Sequence, residues 1–135
     1  MADTGARITV ALVDDQPLFR AGIRMLIESQ GDMELSGEAA DGEQAVSLAT
    51  EHRPDVMLMD LRMPVMDGFE AMRRIRQHGS DVPMIAISAE MNANIERQAR
   101  SAGASGVAAK PLDAEALRTL AIQWTSRPAQ QEGAA

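Results

Sequence analysis

The chain contains no cysteine. Disulfides, thiolate nucleophiles and cysteine-based metal sites are thereby excluded, and the composition fits a cytoplasmic protein. Aromatic residues are nearly missing too, with no tyrosine, one tryptophan and two phenylalanines in 135 residues. Because 45% of the chain is nonetheless apolar, the core has to be built from Val, Ile, Leu, Ala and the ten Met. No apolar run approaches the roughly 20 residues of a membrane span. The segment from Met1 to Ala6 carries Asp3 and no basic residue, unlike a secretory leader. Runs of Lys and Arg are also lacking, and the formal net charge is −7. No binding to nucleic acid through this domain, and none to a membrane, is expected. Arg73, Arg74 and Arg76 cluster, but Glu70 offsets them, and they read as a solvated helix face.

The length fits one domain, over residues 1–125, followed by a polar tail over 126–135 that is expected to be disordered. Four apolar runs stand out: Ile8 to Val13, Val56 to Met59, Val82 to Ile87, and Gly106 to Ala109. A fifth segment, Met33 to Glu38, alternates apolar and polar residues and reads as an edge strand with one wet face. Helical periodicity fills the gaps. Pro17 sits near a first helical position, and Leu18, Gly22, Ile23, Leu26 and Ile27 follow on one face. Asp41 with Gln44 forms a capping box for a helix from Gly42 to His52. Further helices are expected over about Asp67 to Gln77 and Asn92 to Ala102. The Asn92 helix has a thin apolar face of Met91, Ile95, Ala99 and Ala102, the mark of a low-stability segment that can move. On the last helix, Leu112, Ala116, Leu120 and Trp124 recur every four residues and read as core, with Trp124 as an interface anchor the alternative. Five strands alternating with five helices predict an α/β fold with a doubly wound, five-stranded parallel sheet.

In such sheets, function gathers at the carboxyl ends of the strands. The first strand runs into Asp14 and Asp15, the third into Asp60, the fourth into Ser88 and Ala89, and the fifth into Lys110 and Pro111. Each has a plain explanation taken singly: Asp15 or Ser88 as a helix cap, Asp60 as a partner for loop amides, Lys110 as a surface lysine. Parallel strands would bring them all to one rim. Three adjacent carboxylates repel unless a cation sits among them. Oxygen-only ligands point to a hard ion, Mg²⁺, with Mn²⁺ as a substitute. With Lys110 alongside, the pocket suits a phosphoryl group, which Asp60 could accept and whose oxygens Ser88 Oγ and the Ala89 N–H could bind.

The stretches "LVDDQPLFRAGI", "PDVMLMDLRMPVMDGFE", "MIAISAE" and "GASGVAAKPLD" together resemble the response-regulator receiver domain of two-component signalling, over about residues 8 to 124. The resemblance implies the flavodoxin-like (CheY-like) fold with strand order 2-1-3-4-5. It implies Asp60 as phosphoacceptor, and Asp14, Asp15, Asp60 and the backbone carbonyl of Arg62 around Mg²⁺. Ser88 is then the switch hydroxyl, Lys110 the phosphoryl-binding lysine, Lys110-Pro111 a cis peptide, and Gly68 a turn position where a Cβ is unwelcome. The implied partners are a histidine kinase or histidine phosphotransfer protein as donor and a downstream effector on the face of helix 4, strand 5 and helix 5. A second copy of the chain, through the last helix, is a further candidate. One departure is Val107, where many receivers carry Tyr or Phe; the usual aromatic rotamer switch cannot operate there.

Three rivals are weaker. A haloacid-dehalogenase-type phosphatase needs an acid two residues after its nucleophile, where this chain has Arg62. A flavin module would replace Asp14 and Asp15 with a phosphate loop. A receiver fold that binds partners without being phosphorylated is the remaining alternative, against which the intact acidic set argues. No turnover of an external substrate is expected. The segment "LVDDQPLFRAGIRMLIES" looks like the start of receivers joined to a helix-turn-helix output domain, yet nothing after Trp124 could form one. A stand-alone receiver is the expectation, an excised one the alternative.

Overall fold

The structure is a computed structural model that describes residues 7–125; the expected tail over 126–135 lies outside the described residues. Its elements alternate strictly: β1 (Ile8–Val13), α1 (Pro17–Glu28), β2 (Met33–Ala39), α2 (Gly42–His52), β3 (Val56–Asp60), α3 (Gly68–Gln77), β4 (Met84–Ser88), α4 (Ala93–Ala102), β5 (Gly106–Ala109) and α5 (Ala114–Thr125). All ladders are parallel and the strand order is β2-β1-β3-β4-β5. The expected architecture and edge strand are therefore present. β4 starts two residues later than its apolar run because Pro83 has no N–H for the ladder; its carbonyl still accepts from Met57 N–H at 2.9 Å.

Strand alternation explains why the runs are apolar throughout. Val10, Leu12, Val56, Leu58, Ile85 and Ile87 face the layer that holds α1 and α5. Ala11, Val13, Met57, Met59, Met84 and Ala86 face α2, α3 and α4. The second layer is rich in methionine, an unbranched side chain that fills gaps a ring would otherwise occupy. β2 pairs only with β1, and an extra residue, Ser36, interrupts the register between Val10 and Ala11.

Three expectations need correction. On α1, Ile23 and Ile27 are buried and Phe19 and Leu26 pack beside them. Leu18 is 88% exposed, and Gly22 has nothing near the place a Cβ would take. The inward stripe starts at Phe19, since Phe19, Ile23, Leu26 and Ile27 carry the i, i+4, i+7, i+8 spacing. On α5, a four-residue repeat rotates about 40° per step, so the expected Ala116, Leu120 and Trp124 do pack on the core layer but are not its deepest positions. Leu117 and Ala121 are the buried positions, with Ala116 and Leu120 at the margin. Leu112 is buried ahead of the helix, whose cap is Asp113 accepting from Ala116 N–H at 2.8 Å. Trp124 closes the same layer; a Cβ on Gly106 would lie 2.8 Å from its indole.

The third correction concerns Arg76. Arg73 and Arg74 do pair with Glu70 on the outer surface of α3. Arg76 instead turns inward. Its guanidinium donates to Gly103 O at 2.7 and 3.1 Å and to Ser80 O at 3.1 Å, tying α3 to the C-terminal end of α4. The N-terminal part of α4 is as thinly packed as its sequence suggests. Ala93, Asn94, Arg97 and Gln98 are exposed, and only Ala99 and Ala102 are buried.

Candidate functional site

The carboxyl edge of the sheet gathers the residues at the strand ends. Asp14 follows β1, Asp60 and Ser88 are the last residues of β3 and β4, and Lys110 follows β5. Asp14, Asp60 and Ser88 are buried polar residues, whereas Asp15 is exposed. One carboxylate oxygen from each of Asp14, Asp15 and Asp60 lies within 4.8 Å of the others.

Neighbouring backbone fixes these side chains. Asp14 N–H donates to Ala39 O at 3.0 Å, and Leu61 N–H to Ile87 O at 3.0 Å, so the ladder bonding reaches Asp14 and runs one residue past Asp60. Lys110 N–H donates to Ser88 O at 2.9 Å, and the Lys110-Pro111 peptide is cis. Arg20 donates to the Asp14 carbonyl and, with Arg24, to Glu38 on β2. These two guanidinium groups hold the Glu38 carboxyl below its ordinary range. Gly68 starts α3 so close to β3 that a Cβ would lie 2.3 Å from Asp60 O. The expected intolerance at Gly68 therefore has a cause: backbone contact rather than a positive φ.

Lys110 Nζ stands 2.7 Å from Asp14 Oδ2 and 3.6 Å from Asp60 Oδ1, with its side chain 13% exposed. The first approach is an ion pair in distance but is not aligned as a hydrogen bond, so buried Asp14 Oδ2 has no donor. Asp14 Oδ1 accepts from Gln16 N–H at 2.8 Å. Asp60 is the most perturbed acid. Burial, then the nearby charge of Asp14, raises its pKa to about 6, against the smaller opposing effects of Lys110 and the Arg62 N–H. A buried carboxyl that resists ionisation among like charges is one that a cation bound beside it would ionise.

The plain alternatives can be weighed in the same geometry. No side chain caps α1, whose N-cap residue is Gln16, so Asp15 is not a cap. Asn92, accepting from Ile95 N–H at 2.9 Å, caps α4 in place of Ser88. Ser88 Oγ accepts from Glu90 N–H at 3.3 Å, and Ala89 is exposed beside it. Lys110 is not a free surface lysine. Asp60 does accept one loop amide, from Arg62. Val107 is half-buried, pairs with Ala86 and packs on the α2–α4 layer. At the mouth, exposed Arg62 and Glu90 approach to 3.6 Å. Two neighbours of Lys110 were not legible as site residues: Gln16 Oε1, which accepts from Nζ at 3.0 Å, and Phe19, whose ring centroid is 4.4 Å from Nζ. Their only sequence signal is position, Gln16 directly after the acidic pair and Phe19 three residues further on.

A doubly wound parallel sheet with a buried aspartate, two further acids and a lysine at its carboxyl edge defines a receiver-type α/β module. Comparison with known proteins gives the same class. The family model described as the response regulator receiver domain matches residues 10–122. The chain belongs to that family, the receiver domains of two-component response regulators. It is 35% identical over 111 residues to the transcriptional regulatory protein DegU of Brevibacillus brevis, covering 82% of this chain and 47% of DegU. The chain spans about half the length of the curated relatives it matches, or less. The receiver domain of NarL from Mycobacterium tuberculosis superposes with a TM-score of 0.84 at 32% identity, over 90% of this chain and 98% of that one. The receiver domain of the sensor histidine kinase PA1611 from Pseudomonas aeruginosa gives a TM-score of 0.79 at 34% identity, over 90% and 99%. That structure is described with a magnesium ion coordinated in its active-site cleft.

Proposed function

We propose that the protein is a phosphorylation switch in which Asp60 accepts a phosphoryl group from a phosphohistidine of a histidine kinase or histidine phosphotransfer protein. The observation that carries this reading is the buried Asp60 carboxylate, held at the sheet edge within reach of two more carboxylates and an ammonium. One Asp60 oxygen attacks phosphorus, the P–N bond breaks, and its electron pair returns to the imidazole; an acyl phosphate remains on Asp60.

Asp14, Asp15, Asp60 and the Arg62 carbonyl form the donor set for Mg²⁺, with Mn²⁺ as a substitute. The residues fit such an ion: the donors are all oxygen, and buried Asp14 Oδ2 lacks a hydrogen-bond donor. When bound, Mg²⁺ supplies charge neutralisation at the phosphoryl oxygens. Lys110 contributes a second positive charge, and Ser88 Oγ and the Ala89 N–H donate to the transferred group. Moving the Ser88 hydroxyl means giving up its contact with Glu90 N–H, which joins the pocket to the loop before α4. Val107 offers no ring to follow, so the change runs through that loop into the thinly packed N-terminal turn of α4. The altered face of α4, β5 and α5 then binds a downstream effector. The acyl phosphate is lost by self-hydrolysis, without turnover of an external substrate. No helix among the described residues is long and apolar enough to cross a membrane, and a cytoplasmic location belongs to this reading.

Labelling with a small acyl phosphate and Mg²⁺ tests the proposal. The parent is expected to take up label, and Asp60→Asn or addition of a chelator to abolish it. Equal uptake by Asp60→Asn would overturn the assignment.

A further inference from the structure

Lys110 has two sets of neighbours. Toward the pocket it approaches Asp14 and Asp60. Toward the first turn of α1, Nζ donates to Gln16 Oε1 at 3.0 Å and stands over the Phe19 ring, 4.4 Å from its centroid. Gln16 holds the N-cap position of α1, where Ser, Thr, Asp or Asn would normally bond a free N–H. Its side chain makes no such cap and is directed to Lys110 instead. Phe19 is half-buried, with its other contacts in the α1–α5 layer. Its place is therefore fixed by the core while part of it serves the lysine.

A phosphoryl group on Asp60 adds a charge of about −1.5 to −2 and three strong acceptors. An ammonium has three donors on a flexible stem. Nζ stands 3.6 Å from Asp60 Oδ1, and the added charge draws it further toward Asp60, away from Gln16 Oε1 and the ring on its other side. These neutral partners are its weakest, so they are the contacts given up.

We propose that Gln16 and Phe19 form a resting cradle for Lys110, from which phosphorylation of Asp60 withdraws it and so loosens the first turn of α1. The proposal rests on the reading of Asp60 as phosphoacceptor. The cradle then competes with the phosphoryl group for one ammonium. A ligand shifts an equilibrium only by its difference between two states, and the coupling acts in both directions. Weakening the cradle therefore tightens the hold on a phosphoryl mimic. A lysine–ring contact at a partly exposed site corresponds to a change of about two- to five-fold in affinity. The turn that loosens is at the surface, because Leu18, next to Phe19, is 88% exposed.

The test is an NMR titration of the whole chain with beryllofluoride in the presence of Mg²⁺. In the resting protein the Lys110 Hε protons, which lie near the ring, are expected upfield of their usual position. Saturation is expected to return them to it. Phe19→Leu should start with unshifted protons and bind beryllofluoride about two- to five-fold more tightly. Gln16→Ala, at an exposed position, should keep the ring shift and also bind more tightly. The proposal is overturned if the amides around Asp60 saturate while the Hε protons stay upfield, or if both variants bind no better than the parent. If neither those amides nor Lys110 respond in the parent, the phosphoacceptor reading itself fails and the cradle falls with it.

Discussion

At Asp60 the fold works against the charge that the chemistry needs. A folded pKa near 6, above the ordinary 3.8, means that the native state holds this proton more tightly than the unfolded chain does. Stability contributed by the protonated form is full below about pH 4 and is lost as pH rises through about 6. At neutral pH the ionised group thus costs the metal-free protein up to about 3 kcal/mol. Asp60→Asn should remove that cost. Denaturant unfolding in chelator should show the variant more stable than the parent at pH 7, with the gain gone near pH 4. An equal gain at both pH values would contradict the electrostatic cause. Gly68 supports a second prediction at the same scale. Gly68→Ala drives a Cβ against the Asp60 carbonyl, which must shift. A loss of about 1–3 kcal/mol in denaturant unfolding is expected, together with slower labelling of Asp60, whose backbone moves.

Among the elements, α4 and the loop after β3 carry the least reserve. The cap of α4 is the Asn92 side chain, and its far end is tied through Arg76 to α3. Asn92→Ala should cost about 1 kcal/mol. Hydrogen exchange is expected to quicken in the first turns of α4 while the turn at Gly103 stays protected. Uniform acceleration along α4 would show that its two ends do not open separately. In the other loop, Val65 has φ 69° and is bracketed by Met66 N–H donating to Pro64 O at 2.6 Å, a three-residue turn of the strained hand. A β-branched residue is poorly suited to that conformation. Val65→Asn should raise stability by about 1 kcal/mol in thermal unfolding, since Asn tolerates positive φ.

These elements also mark how far the sequence could be read. β1 and β5 are legible to the residue because each apolar run has abrupt polar ends, Arg7 and Asp14 around the buried β1 and Ser105 and Lys110 around the half-buried edge strand β5. The cap of α2 is legible because Asp41 sits directly before helical periodicity with Gln44 three residues on, whereas the cap of α4 is Asn92 and not Ser88, which the sequence offers equally well. The faces of α1 and α5 are not legible. Leu18 and Phe19 are both apolar neighbours, and only packing against the sheet selects Phe19. Arg76 escaped for a similar reason: its role depends on Gly103, 27 positions away. In the pocket, the acids, the serine and the lysine follow from strand ends converging at one rim. Gln16 and Phe19 do not, since neither residue type announces contact with a lysine.

For the whole molecule, a sheet covered on both faces makes the carboxyl edge a rigid frame. The frame holds three acids close together, and the stability of the molecule should respond to the ion that suits them. Anything bound only by the native state raises apparent stability. Mg²⁺ is expected to raise the Tm of the parent in a concentration-dependent way, and to do so much less for Asp15→Asn, whose side chain is exposed and dispensable for packing. An equal rise for both would place the ion elsewhere. The most direct measurement is mass-spectrometric mapping of the intact protein after reaction with an acyl phosphate and Mg²⁺. The account expects a single phosphoryl group per chain, on Asp60. Phosphorylation at any other residue, or none under conditions that saturate the Mg²⁺-dependent rise in Tm, would contradict it.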